Sequence, residues 1–111
     1  MSLLENIKGL DRKKPICLDP KRNKFILIDD IIDQREKIFS LDKLNRSESK
    51  KLVIERLRKG PDFIVGDLNG LKKNRHQVIE DIKNDTKFGK MTLDAELSYL
   101  KDLLREIEKE I

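Results

Sequence analysis

Leu93, Leu97, Leu100, Leu104, Ile107 and Ile111 recur at alternating intervals of four and three. That spacing sets them in one stripe along a helix, and a stripe of large apolar side chains must be buried against something. Helix packing therefore dominates whatever this chain folds into. In heptad terms Leu97, Leu104 and Ile111 take the a positions and Leu93, Leu100 and Ile107 the d positions. Glu96 at g then faces Lys101 at e of a parallel partner. On this reading Leu93, Leu97, Leu100, Leu104 and Ile107 form a self-association surface, and the chain is a homo-oligomer. The other arrangement buries the same stripe inside the chain's own bundle, and Leu103 broadens the stripe as a core helix requires.

The remaining composition limits the core that can receive such a helix. The chain has 111 residues, 37% hydrophobic and 41% charged, with no Trp and a single Tyr. One domain with a modest core and a charged shell follows, and small domains leave a larger share of apolar surface for a partner to cover. Cys17 is the only cysteine, so no internal disulfide forms, and a reducing, cytoplasmic setting is expected. Residues 1–10 carry Glu5 and Lys8 within their apolar run, unlike the continuous apolar stretch of a signal peptide, and no run reaches the length of a membrane span.

Upstream of the final helix the pattern is punctuated. Residues 1–24 hold seven Lys/Arg against three Asp/Glu and include Gly9, Pro15 and Pro20, which reads as a basic N-terminal arm ending in a hairpin. Ile16-Cys17-Leu18 and Phe25-Ile26-Leu27 flank turn-forming residues. From Leu27 onward Ile28, Ile31, Ile32, Ile38 and Phe39 suggest a helix to about Ser40. A second helix starts at Ser47 or Ser49 and stops at Gly60-Pro61, with Gly60 expected in the left-handed region. Phe63-Ile64-Val65 reads as a buried strand that pairs with the front hairpin, followed by a turn at Gly66–Gly70. A third helix covers about Lys73 to Lys83, ending at Asn84-Asp85, and the last begins at Thr86 or Thr92. The expected fold is thus mainly α, about four helices with a minor hairpin or short-strand element, residues 25–111 forming the helical domain behind the arm.

Two basic clusters suggest a polyanion: Lys50, Lys51 and Arg58, with Arg56 and Lys59, on the second helix, and Lys72, Lys73 and Arg75 after Gly70. Against it, Glu55 lies four residues from both Lys51 and Lys59, as a salt-bridged outer face would have it. No aromatic residues interleave to stack bases. A helix-turn-helix is disfavoured by the long second-to-third connection and by the acidic last helix.

Catalytic and metal patterns fail on residue type. His76 is the sole histidine, so Cys17 and His76 leave a zinc shell unfilled. Val65 and His76 stand where a calcium loop needs acids. Asp29, Asp33 and Glu36 share one strip if their helix runs that far, and carboxylates so placed suit Mg²⁺; neutralisation by Lys37 and Lys43 is the simpler account. No metal, cofactor, membrane or small-molecule substrate is indicated. The expected function is that of a small accessory or regulatory protein acting through helix-mediated protein contacts, with nucleic-acid or polyanion binding through the basic clusters as the alternative.

Overall fold

The computed structural model describes residues 10–110, with side chains from Arg12 onward. The fold is mainly α with two small antiparallel hairpins. A short α1 (Leu10–Lys13) leads into β1 (Pro15–Asp19), which pairs antiparallel with β2 (Lys24–Leu27) through Cys17↔Ile26 and Leu18↔Phe25. The turn between them is organised by Asp19, whose Oδ1 accepts from the Lys21 and Arg22 amides at 3.0 and 3.3 Å, while Asn23 takes φ 54°. Such Asx chemistry, with an Asn in the left-handed region, closes a hairpin without glycine. Every residue of β1 is buried, and the hairpin runs from Pro15 across residue 24 to Leu27; residues 1–9 of the expected arm lie outside the described residues.

The first long helix expected from the sequence is short. α2 spans Ile28–Ile32 and closes at Asp33, where Gln34 takes φ 59° and the Arg35 and Glu36 amides both donate to Asp30 O. Arg35 then pairs with Asp30 and Asp33. The chain continues without helix to Ser40, and a 3₁₀ turn follows at Leu41–Lys43. Ile38 and Phe39 thus pack on the core from a non-helical segment, although their spacing from Ile31 matches a helix.

α3 covers Arg46–Lys59. Its cap is Asn45 rather than a serine: Glu48 N donates to Asn45 Oδ1 at 2.8 Å, and Asn45 N to Glu48 Oε1 at 2.9 Å. That reciprocal pair satisfies two end donors, and Ser47 and Ser49 lie inside the helix. Asn74 and Gln77 repeat the device at the start of α4 (Arg75–Lys83). At the other end of α3, Gly60 has φ −84° and ψ 174°, an extended conformation and not the left-handed one expected. Pro61 explains the difference, because a residue before proline is driven to extended backbone.

β3 (Ile64–Gly66) and β4 (Lys72–Asn74) form a second hairpin of their own instead of joining the first. α5 (Lys87–Glu110) is 24 residues long, about 36 Å at the usual rise. Thr86 starts it, its Oγ1 accepting from Gly89 N at 3.0 Å. Two clusters make the core. One holds Ile16, Cys17, Ile26, Ile28, Leu52, Leu100, Leu104 and Ile107. The other holds Val53, Ile54, Val78, Ile79, Ile82 and Leu93. α3 and α5 serve both, so they tie the hairpin end to the α4 end.

Candidate contact surface

The heptad stripe closes on the chain's own core. Leu93, Leu100, Leu104 and Ile107 are buried, and Leu97 packs half-buried beside Leu93; Ile111 lies outside the described residues. Of the two arrangements read from the spacing, these leucines take the one inside the chain's own bundle, with Leu100, Leu104 and Ile107 packed among β1 and α3 residues. The charged flanks agree. Glu96 sits 3.7 Å from Arg56 Nε, and Lys101 reaches Asp42 at 2.9 Å, both within one chain.

The large apolar surface that remains open is concentrated elsewhere, in the β3–β4 hairpin. Ile64 is 64% exposed, Leu71 63%, Leu68 48% and Val65 37%, which overturns the buried strand expected here. The tip is nonetheless well built. Asp67 Oδ1 accepts from Asn69 N and Leu71 N at 2.8 and 2.9 Å, and Asp67 N donates to Leu71 O at 2.8 Å. Gly70 takes φ +80°, the left-handed position of a three-residue loop, where a side chain is strained. Burial pushes the Asp67 carboxyl up, but the Asn69 and Leu71 amides and Lys73 outweigh it and leave it below its ordinary value.

Beneath the hairpin a cavity of about 390 Å³ opens between the end of α3 and one face of α5. Its apolar wall is Leu57, Pro61, Phe63, Val65 and Phe88, and its polar side is Lys14, Arg56, Thr92 and Glu96. A second cleft of about 260 Å³ shares Lys14, Arg56, Leu57 and Glu96 and extends to Tyr99. Arg56, read from the sequence as one of an outer basic cluster, is only 6% exposed. Its Nη1 donates to Pro15 O at 2.8 Å and its guanidinium stacks 5.8 Å from the Tyr99 ring centre. It fastens β1 to the wall of the groove.

Most of the expected polyanion residues have partners within the fold. Lys50 reaches Asp85 at 2.8 Å and Lys51 bonds Asn23 Oδ1. Lys73 reaches Asp81 at 2.5 Å and Asp67 at 3.7 Å, which raises its ammonium pKa, and Arg75 Nη1 donates to Gly60 O at 2.6 Å. Arg58 and Lys72 are exposed. Neither Lys51 nor Lys59 pairs with Glu55 among the described residues.

The residues weighed as metal ligands do not come together. α2 ends before Asp33, so Asp29, Asp33 and Glu36 do not share a helix strip; Asp29 pairs with Arg12, and Glu36 with Arg22 and Lys24. No group of three potential ligands gathers among the described residues. Cys17 is buried in β1, where loss of solvent pushes its thiol up to about 11, and His76 is exposed on α4. No helix among the described residues is long and apolar enough to cross a membrane. Comparison with protein-family models, curated proteins and solved structures finds no match for this chain.

Proposed function

We propose that this chain is a small cytoplasmic accessory protein that works by holding another protein chain against its β3–β4 hairpin and the groove below it. One observation carries the reading: four large apolar side chains stand exposed within residues 64–71, while the apolar face of the longest helix is buried. Exposed apolar groups so clustered, rimmed by charge, are the mark of a protein contact rather than of a solvated surface. The contact is made by a hairpin and not by the α5 stripe, a change from the helix-mediated surface expected of the sequence. Polyanion binding has less behind it, because Lys50, Lys73 and Arg75 are engaged within the fold, leaving Arg58 and Lys72 as its chief support.

The test is a photo-crosslinking residue at Leu68, activated in native extract, with and without nuclease, beside a second preparation that also carries Ile64→Lys. The reading requires a protein adduct that survives nuclease and disappears in the Lys variant. Adducts that vanish with nuclease favour the polyanion alternative, and absence of any hairpin-dependent adduct contradicts the proposal.

A further inference from the structure

We propose that the β3 edge of the hairpin pairs with the β3 edge of a second copy of this chain, across a two-fold axis at Val65. This adds self-pairing to the surface described above, beside the partner sought in extract, and rests on reading that hairpin as a contact surface.

The register within one chain supplies the geometry. Asp67 N bonds Leu71 O, and Val65 lies opposite Lys73 two residues along, with Ile64 opposite Asn74 and Gly66 opposite Lys72. Hydrogen-bonded and non-hydrogen-bonded pairs alternate in an antiparallel ladder. Val65 therefore bonds inward to Lys73, and Ile64 and Gly66 turn their N–H and C=O groups to the outer edge. Among the described residues no third strand joins this two-stranded sheet, and all three residues of β3 are exposed, so that edge is unpaired.

An open edge is a template for another strand, and the question is which strand matches it. A second copy does. With Val65 opposite Val65 of the partner subunit, each Ile64 falls opposite Gly66 of the partner subunit. The four residues so paired are those whose backbone groups face outward. A Cβ built on Gly66 meets nothing within 4 Å, so there is open space for the facing isoleucine. Charge agrees with this register. β3 itself has no charged residue, and Asp62 and Asp67 at its ends fall opposite Leu68 and Phe63 rather than each other. Lys72 and Lys73 belong to β4, which becomes the outermost strand on each side, where lysine discourages further growth. The two-fold closes the assembly at two copies. Few residues take part compared with the 20–30 or so per side of a stable interface, so the dimer belongs to the weak, concentration-dependent class.

The experiment combines mass and crosslinking. Sedimentation of the full chain from about 10 µM to about 1 mM, the span over which a small interface of this class assembles, should show monomer giving way to dimer. Gly66→Pro removes an outward N–H while sparing the bonds inside the hairpin, and it should hold the chain as monomer with an unchanged circular dichroism spectrum. Val65→Cys, oxidised by diamide at the high concentration, should yield a disulfide dimer, because facing residues of a non-hydrogen-bonded pair stand about 4.5 Å apart at Cα, within disulfide range. Ile64→Cys should crosslink far less, since it faces glycine. Buried Cys17 is present in both as a common background. A single-chain mass throughout, or equal crosslinking at both positions, overturns the second copy. If the mass stays that of one chain while Ile64→Lys still abolishes the Leu68 adduct in extract, the second copy fails and the hairpin as a contact surface stands.

Discussion

Gly89 of α5 lies directly against the carbonyl of Asp81 in α4: a Cβ on Gly89 would overlap both the carbonyl oxygen and carbon of Asp81. The same crossing is laced by hydrogen bonds, Thr86 N to Asp81 O at 3.2 Å and Thr86 Oγ1 to Asp81 Oδ1 at 3.1 Å. The α4–α5 corner is thus set by one missing methyl group and one threonine. Gly89→Ala should destabilise the fold by about 1–3 kcal/mol, the usual cost of overpacking, measured by urea unfolding. Gly66→Ala, with open space around it, is the control and should change the midpoint little.

The α5 stripe as core makes a second prediction. Leu100 is fully buried among β1, α3 and α5 residues, so Leu100→Ala should cost about 2–5 kcal/mol, as buried leucines do. Leu100→Asp should abolish the cooperative thermal transition, because the charge has no route to solvent. A dimer seam would instead give folded monomers with helicity retained, so circular dichroism beside light scattering separates the two.

Acid should weaken the fold through two carboxylates. Hydrogen bonds from Arg22 and Lys24 hold the Glu36 carboxyl down from 4.5 to about 2, and Lys50 and Arg46 hold Asp85 down from 3.8 to about 2. Each group's pKa is lower folded than unfolded, so its contribution is complete above about pH 5 and is lost as pH falls towards 2. The thermal midpoint should decline through that window, less so in the Glu36→Gln, Asp85→Asn double variant. Added salt should shrink the difference, since these pairs are reached by solvent.

Two glycines that look alike in the sequence should behave differently. Gly60 has negative φ, and a Cβ there meets chiefly the flexible end of Lys14 at 3.1 Å, so Gly60→Ala should lie within about 0.5 kcal/mol of wild type. Gly70 has φ +80°, and Gly70→Ala should cost about 1–2 kcal/mol of hairpin stability, read as faster amide exchange across Ile64–Asn74.

The legible parts of this fold are those decided by local periodicity and strong breakers. The stripe from Leu93 to Ile107, the stop at Gly60-Pro61, the end of α4 at Asn84-Asp85 and the first hairpin all follow from spacing and turn chemistry. What failed depended on tertiary surroundings. Ile38 and Phe39 sit at helical intervals from Ile31 but reach the core from a non-helical segment, so periodicity alone carried the helix too far. Ile64 and Val65 have strand composition whether buried or exposed, so their exposure had no local signal. Arg56 lies at helical spacing from Leu52 and Val53, a sign that it shares their buried face, but its partners Pro15, Tyr99 and Glu96 are distant in sequence and left no local signal. Gly89 carries no mark beyond being a glycine near a helix start. The heptad spacing identified the stripe correctly and left its partner open, because a core and a seam bury the same leucines.

Carbene footprinting of the chain at low micromolar concentration, alone and in native extract, reads which apolar side chains meet solvent and which become covered. A hairpin that holds a protein partner gives strong labelling of Ile64, Leu68 and Leu71 in the isolated chain and protection of those residues in extract, with Leu93, Leu100 and Leu104 unlabelled in both. Labelling of the α5 leucines in the isolated chain, or a hairpin labelled equally in both conditions, would contradict it.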